Sequence, residues 1–284
     1  MSVPPQVPLS SSPSLSTSSP PPPRAGSALA GFWLDLAIGI ATLLGVSLVC
    51  GVAWGMWRGA RVGIEAARSG AATPAAGDIT AQLGQPGALA QMLMALIATS
   101  SAALLLYFWR RRASREERQQ SHQRLRLPST WGWTLLVAAL VFCASSLIGW
   151  LAKQAGTEPV PTNLPLMQQA VSHYPLFLVL FAVVLAPAYE ELLFRRVLFG
   201  RLQAAGRPLL GMLLSSAAFA LVHEVPGTSG NGPLEIAQLW LIYGGMGAAF
   251  AWLYQRTGTL WAPIAAHALN NAIALTALFV YGIQ

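Results

Sequence analysis

Two adjacent glutamates, Glu190 and Glu191, lie in the middle of an apolar stretch that runs from Tyr174 to Gly200. A charged side chain at the centre of a bilayer costs about 2.5–3.5 kcal/mol on insertion scales, so such groups need partners or a water-filled cavity, and they indicate a functional site. Residues four apart share a helix face, whereas neighbours point about 100° apart. We therefore expect Glu191 to pair with Arg195, which leaves Glu190 free for chemistry.

Two other motifs on apolar stretches carry imidazole and carboxamide groups. Phe219 precedes His223 by four residues, and His267 precedes Asn271 by four residues, so each pair shares a helix face. With a rise of about 1.5 Å per residue, Glu190, His223 and His267 come to lie about 15, 20 and 14 Å from one membrane surface. The sequence therefore predicts one buried site that combines these side chains.

A carboxylate, two imidazoles and a carboxamide at one buried position suit the activation of water. Glu190 can accept a proton from water as a general base, while one histidine holds the water or the leaving group. The other histidine, with Asn271, can donate to a developing oxyanion. Glu190, His223 and His267 can instead hold a divalent metal, for which zinc suits the donors best, although asparagine is an unusual zinc ligand.

A non-hydrolytic function is the alternative at this stage. A transporter or a scaffold can use a Glu/His cluster as a proton relay. Transporters usually contain repeated halves or broken helices, and the sequence shows no repeat. The His267–Asn271 pair also has no obvious use in a proton relay.

The composition predicts an all-α polytopic transmembrane helical bundle. The chain of 284 residues is 54% hydrophobic and 10% charged, whereas about 25% of residues are charged in an average soluble domain. About seven apolar stretches are near the length that crosses a bilayer. They lie at residues 31–57, 87–109, 131–152, 174–200, 208–223, 235–254 and 259–282. The expected partners are the lipid bilayer and a membrane-associated protein or peptide substrate.

Charge and composition divide the chain further. We predict a disordered Ser- and Pro-rich tail at residues 1–29, N-terminal transmembrane helices at 30–173 and a catalytic core at 174–284. The net charge of +7 comes from arginines in short loops beside the apolar stretches, which act as orientation signals, so nucleic-acid binding is not expected. The basic loop 110–130 is predicted to be cytoplasmic, in an integral protein of the bacterial inner membrane.

The ordered pattern Glu-Glu-x-x-x-Arg, Phe-x-x-x-His and His-x-x-x-Asn resembles that of the CPBP intramembrane proteases, also called the CAAX-processing or Abi family. The resemblance covers about residues 174–282. It implies a hydrolase that cuts peptide bonds of membrane-associated substrates, with Glu190 and His223 as catalytic residues and His267 with Asn271 as their partner pair. The supporting residues it implies are Glu191, Arg195 and Phe219.

The resemblance leaves the cofactor and the substrate open. Members of the family are commonly called metalloproteases, and a metal-free glutamate mechanism has also been argued for them. Many members have glycine after the arginine of the first motif, whereas this chain has Arg196. Residues 1–173 match no motif of the family, and a bacterial host would supply no obvious prenylated protein, so the name CAAX does not define the substrate.

Overall fold

The computed structural model describes residues 25–70 and 84–282, and this part of the chain contains helices and no strand. The predicted tail lies outside the described residues up to position 24; its last five residues, 25–29, are helical. In these described residues nine helices follow one another: α1 (Ala25–Ser69), α2 (Ala88–Arg110), α3 (Arg115–Leu125), α4 (Pro128–Gln154), α5 (Leu164–His173), α6 (Pro175–Ala204), α7 (Pro208–His223), α8 (Pro233–Thr257) and α9 (Trp261–Tyr281).

Six of these helices are long and apolar enough to cross a membrane, namely α1, α2, α4, α6, α8 and α9. The fifth predicted stretch, 208–223, forms α7, which has only 16 residues. At about 1.5 Å per residue, α7 is about 24 Å long and is therefore shorter than the hydrocarbon core of about 30 Å. The all-α polytopic fold is confirmed, with six full-length spans and one shorter apolar helix.

Helix α6 contains two π-helical segments, one on each side of the paired glutamates. An α-helical segment, Ala186–Glu191, lies between π-helical segments Leu180–Leu185 and Leu192–Phe199. Pro187, near the start of the α-helical segment, lacks the N–H that would bond to a carbonyl of the preceding turn. π-Helical turns are rare in proteins, and those that do occur are often found at functional sites. The apolar pattern of the sequence predicted the helix but not these segments.

Ion pairs at one end of the bundle fix which helix ends lie together. The buried carboxylate of Asp35 on α1 binds Arg110 at the end of α2, and it also binds Arg201 on α6 at 2.5 Å. Arg111 donates to the Gly200 carbonyl at 2.9 Å. The start of α1 therefore lies on the same face as the basic loop 110–130 and the end of α6. Because α1 runs away from this face, three basic residues near its other end lie at the opposite end of the bundle: Arg58, Arg61 and Arg68.

Helices α7 and α8 pack closely beside α6. A side chain at Gly247 of α8 would place its Cβ 3.0 Å from the Ser216 backbone of α7, so any larger residue would force the two helices apart by a few tenths of an ångström. Phe219 on α7 belongs to the same buried cluster as Phe194 and Val197 on α6. This packing brings the end of α7, with His223, to the depth of the glutamates.

Candidate active site

Three helices bring three predicted residues together at Glu190. The Glu190 Oε2 atom on α6 lies 3.6 Å from His223 Nε2 on α7 and 3.8 Å from His267 Nε2 on α9. The side chains of Glu190 and His223 are 18% and 19% exposed, and that of His267 is 4% exposed. Within the described structure, Glu190 Oε2 is buried and has no hydrogen-bond partner. Glu190, His223 and His267 therefore lie together in one site, as the sequence predicted.

The hydrogen bonds on the far side of each imidazole define its protonation. His223 Nδ1 lies 2.8 Å from the Phe219 carbonyl, which can only accept, so this nitrogen carries the proton. His267 Nδ1 lies 3.0 Å from Glu191 Oε1, and an ionised carboxylate also only accepts. In the neutral imidazoles, both Nε2 atoms consequently direct lone pairs towards the Glu190 carboxylate. Three acceptor atoms thus converge on one small volume.

Glu191 joins the arginine of its own helix to a histidine of α9. Arg195 binds its carboxylate through Nε at 2.8 Å and Nη2 at 3.2 Å, which confirms the predicted pair. Both side chains are fully buried. The bond from Glu191 to His267 was not predicted, because helical spacing reports neighbours on one helix and not contacts between helices. Glu191 therefore also orients His267.

Aromatic rings surround the buried charges and the imidazoles. The Arg195 guanidinium lies 5.0 Å from the Phe219 ring and 5.9 Å from the rings of Phe194 and Phe250, within the range of cation–π attraction. The Phe219 ring lies 4.2 Å from that of His223, and the Phe250 ring lies 5.3 Å from that of His267. Phe219 therefore lies against His223, as its spacing predicted. Phe250 carries no signal in the sequence that distinguishes it from other core residues.

Asn271 lies one turn beyond His267, and its side chain contacts the backbone of another helix. Its Nδ2 atom donates to the Ala182 carbonyl of α6 at 2.8 Å. The amide is thus engaged with the backbone of α6, at one of the π-helical turns. The sequence placed Asn271 correctly on the His267 face of α9 and could not show this backbone partner.

Glu224, which follows His223 directly, is the centre of a buried hydrogen-bond network that sequence analysis missed. Its carboxylate accepts from Thr162 Oγ1 at 2.5 Å, Ser229 Oγ at 2.5 Å and Asn231 Nδ2 at 3.1 Å. Burial alone would raise the pKa of Glu224, and these hydrogen bonds outweigh that effect and lower its pKa. Its carbonyl accepts from Trp240 Nε1 of α8 at 2.9 Å. The only signal in the sequence was an acidic residue at the end of an apolar stretch.

This network fixes the chain directly after His223, so we predict that Glu224→Ala destabilises the protein. Four donor groups on Thr162, Ser229 and Asn231 would lose a charged acceptor, and a hydrogen bond to a charged group contributes about 1.5–3 kcal/mol. Glu224→Gln keeps one acceptor oxygen and should be intermediate. The measurement is thermal unfolding in detergent, with Glu158→Ala on the adjacent exposed loop as the control. Equal melting temperatures for Glu224→Ala and Glu158→Ala would contradict the proposed importance of the network.

Arg196, at the position where the resembling family often has glycine, connects α6 to the polar helix α3. It donates to both carboxylate oxygens of Glu117, at 3.0 and 2.7 Å. The Arg196 hydrogen bond lowers the pKa of Glu117. Ser121 of α3 also bonds Thr259, between α8 and α9, at 2.8 Å. Arg196, which replaces the glycine common in the family, therefore connects α6 to α3 and does not contact the Glu190 cluster.

The donor atoms of Glu190, His223 and His267 are of the types that bind zinc, but the distances between them are longer than in a zinc site. Two ligands about 2.1 Å from a tetrahedral zinc lie about 3.4 Å apart, whereas the Glu190–histidine separations are 3.6 and 3.8 Å. In the part of the chain that the structure describes, no group of three or more His, Cys, Asp or Glu side chains is arranged as a metal site. The donor types and the unpartnered Glu190 Oε2 would suit a small cation if the two histidines moved a few tenths of an ångström towards Glu190.

Comparison with known proteins confirms the resemblance. Residues 172–273 match the model of the family described as "Type II CAAX prenyl endopeptidase Rce1-like". The chain is 31% identical over 113 residues to "Putative membrane peptidase YdiL" of Bacillus subtilis (strain 168), which is 40% of this chain and 41% of that protein. It is 29% identical over 154 residues to "Membrane-embedded CAAX protease MroQ" of Staphylococcus aureus (strain USA300), which is 50% of this chain and 56% of that protein. No solved structure gives a significant match.

The matched region coincides with the geometry described above. It begins just before α6 and ends within α9, so it contains Glu190, Glu191, His223, His267 and Asn271. The chain spans about half the length of the curated relatives it matches. The helices α1 to α4 lie outside the family match.

Proposed function

Since residues 172–273 are similar to type II CAAX prenyl endopeptidases, we propose that this integral membrane protein is an intramembrane endopeptidase in which Glu190 activates water. The observation that carries the proposal is the convergence of Glu190 Oε2 with the Nε2 atoms of His223 and His267. Three acceptors around one point suit a water molecule, which has two protons to donate. A bound water would then have its oxygen lone pairs free for attack.

The reaction proceeds in two steps in this proposal. Glu190 accepts one proton of the water as its oxygen bonds to the peptide carbonyl carbon, and the carbonyl π electrons move onto the carbonyl oxygen. Glu190 then gives this proton to the peptide nitrogen as the C–N bond breaks. The other water proton leaves with the new carboxyl group. His223, fixed by the Phe219 carbonyl, holds the water or the leaving nitrogen.

Glu191 and His267 supply electrostatic support. The buried Glu191 carboxylate accepts from His267 Nδ1 and so fixes the orientation of the ring, as the aspartate does in the serine protease triad. His267 Nε2 can then accept from the attacking water beside Glu190, because Glu191 holds the proton of this ring on Nδ1. Arg195 Nε binds Oε2 of the Glu191 carboxylate, whereas His267 binds Oε1, so Arg195 acts through Glu191 and not on the substrate.

A divalent metal is the second form of this proposal. Glu190, His223 and His267 would hold it, and zinc would lower the pKa of a bound water towards about 7. We predict about one zinc per chain in purified wild-type protein and loss of that zinc in His223→Ala and in His267→Ala, measured by elemental analysis. Wild-type activity that persists with far less than one metal per chain after chelation would leave Glu190 as the sole activator of water.

The substrate is proposed to be a membrane-associated protein or peptide, in keeping with the depth of the site, and the bacterial relatives favour the cytoplasmic membrane as its location. The test compares the new termini of membrane proteins in cells that carry wild-type or Glu190→Gln protein. Termini that appear only with the wild type support hydrolysis and identify the cut site. Identical termini in both cells would favour the non-hydrolytic relay.

A further inference from the structure

The contact between Asn271 and α6 occurs where that helix lacks a backbone donor. The Ala186 N–H bonds to the Phe181 carbonyl, five residues earlier, which defines a π-helical register. In that register the Ala182 carbonyl would accept from the N–H of residue 187. Residue 187 is proline and has no N–H. The Ala182 carbonyl would therefore be left without its backbone partner.

The Asn271 side chain supplies the missing donor. Its Nδ2 atom lies 2.8 Å from the Ala182 carbonyl oxygen, a normal hydrogen-bond distance. Ala182 is partly buried on a helix apolar enough to cross a membrane, where a carbonyl without a donor is unfavourable, so the turn at Ala182 would otherwise gain by relaxing to the ordinary α-helical register. In that register the Ala186 N–H would bond to Ala182 and no longer to Phe181.

Such a relaxation would displace the catalytic glutamate. A change of register by one residue turns the following side chains by about 100°. Glu190 lies four residues after Ala186, and its carboxylate is within 4 Å of both histidines only in the present orientation. Helix α9 therefore holds α6 through two bonds that are one turn apart on α9 and nine residues apart on α6, from His267 to Glu191 and from Asn271 to Ala182.

From this geometry we propose that Asn271 is a positioning residue that stabilises the π-helical register of α6 by replacing the donor lost at Pro187. Its amide need not contact the substrate oxyanion. The expected effect of Asn271 on turnover rests on the proposed function. The hydrogen bond to Ala182 does not, because measurements of stability alone can test it.

A double-mutant cycle between Asn271 and Pro187 tests the proposal. Asn271→Ala should lower kcat by about tenfold, on the scale of one hydrogen bond, and should also lower Tm. Pro187→Ala restores a backbone N–H for the Ala182 carbonyl, so Asn271→Ala should have a much smaller effect on kcat and Tm in the Pro187→Ala background. The matched control is Asn270→Ala, because Asn270 donates to Ala138 and Ala266 and not to α6. Its effect should be the same in both backgrounds.

Each outcome of the cycle is decisive. Equal loss of kcat from Asn271→Ala in both backgrounds would assign Asn271 to the substrate or the oxyanion and overturn the proposal. Coupling in Tm without any loss of kcat would make the bond merely structural and would also overturn it. If Pro187→Ala does not fold, Asn271→Leu decides: a lower Tm supports the bond to Ala182, and an unchanged or higher Tm rejects it. A wild-type protein without turnover would reject the proposed function, while the Tm cycle would still test the hydrogen bond.

Discussion

Replacement of Glu190 by glutamine is expected to lower kcat by about 10²–10⁴-fold, the usual contribution of a general base. Glutamine has nearly the same shape as glutamate but cannot accept the proton of water as the substrate is attacked. Because Glu190 Oε2 makes no hydrogen bond within the described structure, the substitution removes no structural bond from that oxygen. The measurement is turnover of purified protein on a peptide that contains the cut site found in cells.

The control for this variant is Glu65→Gln, which removes the same charge from an exposed position on α1. Both variants should melt within a few degrees of the wild type, and Glu65→Gln should retain full turnover. Near-normal turnover of Glu190→Gln would refute its assignment as the base. A large loss of thermal stability would instead show that Glu190 is a structural acid paired with the histidines.

The side chains that meet in the site could be predicted because their positions on helices follow from simple spacing. Glu191 and Arg195 are four residues apart and do pair, and Phe219 lies against His223. The common depth of Glu190, His223 and His267 followed from the rise per residue and the alternation of the spans. These inferences hold because residues four apart remain neighbours on a helix, even where α6 takes wider turns.

The features that were missed depend on contacts between elements distant in the sequence. The bond from Glu191 to His267 joins residues 76 apart, and the Asn271–Ala182 bond joins residues 89 apart. The π-helical turns have no signature in the apolar pattern, since both kinds of turn bury similar residues. Proline at position 187 was the one local sign that a backbone acceptor on α6 would need a donor from elsewhere.

A second large effect is expected from breaking the buried pair of Glu191 and Arg195. Glu191→Ala leaves the guanidinium buried without its carboxylate, and Arg195→Ala leaves the carboxylate with only His267, so each should cost about 3–5 kcal/mol of stability. The double alanine variant should be less destabilised than the sum of the two single variants, because no unpaired charge remains. Unfolding in detergent measures the coupling, and strict additivity would contradict the pair.

The pair also separates stability from catalysis. A buried ion pair replaced by apolar residues of similar volume often leaves stability unchanged, so Glu191→Leu with Arg195→Met should lose only the bond to His267 Nδ1, about 1–3 kcal/mol, and should be far more stable than either single alanine variant. The same variant should lose most of its turnover, because Glu191 no longer holds the proton of His267 Nδ1. The exposed pair Arg61–Glu65, with the same spacing and both side chains 56% exposed, is the control. Its disruption should change stability by less than about 1 kcal/mol and leave turnover intact. Full activity of the Leu/Met variant would show that the pair serves only to stabilise the fold.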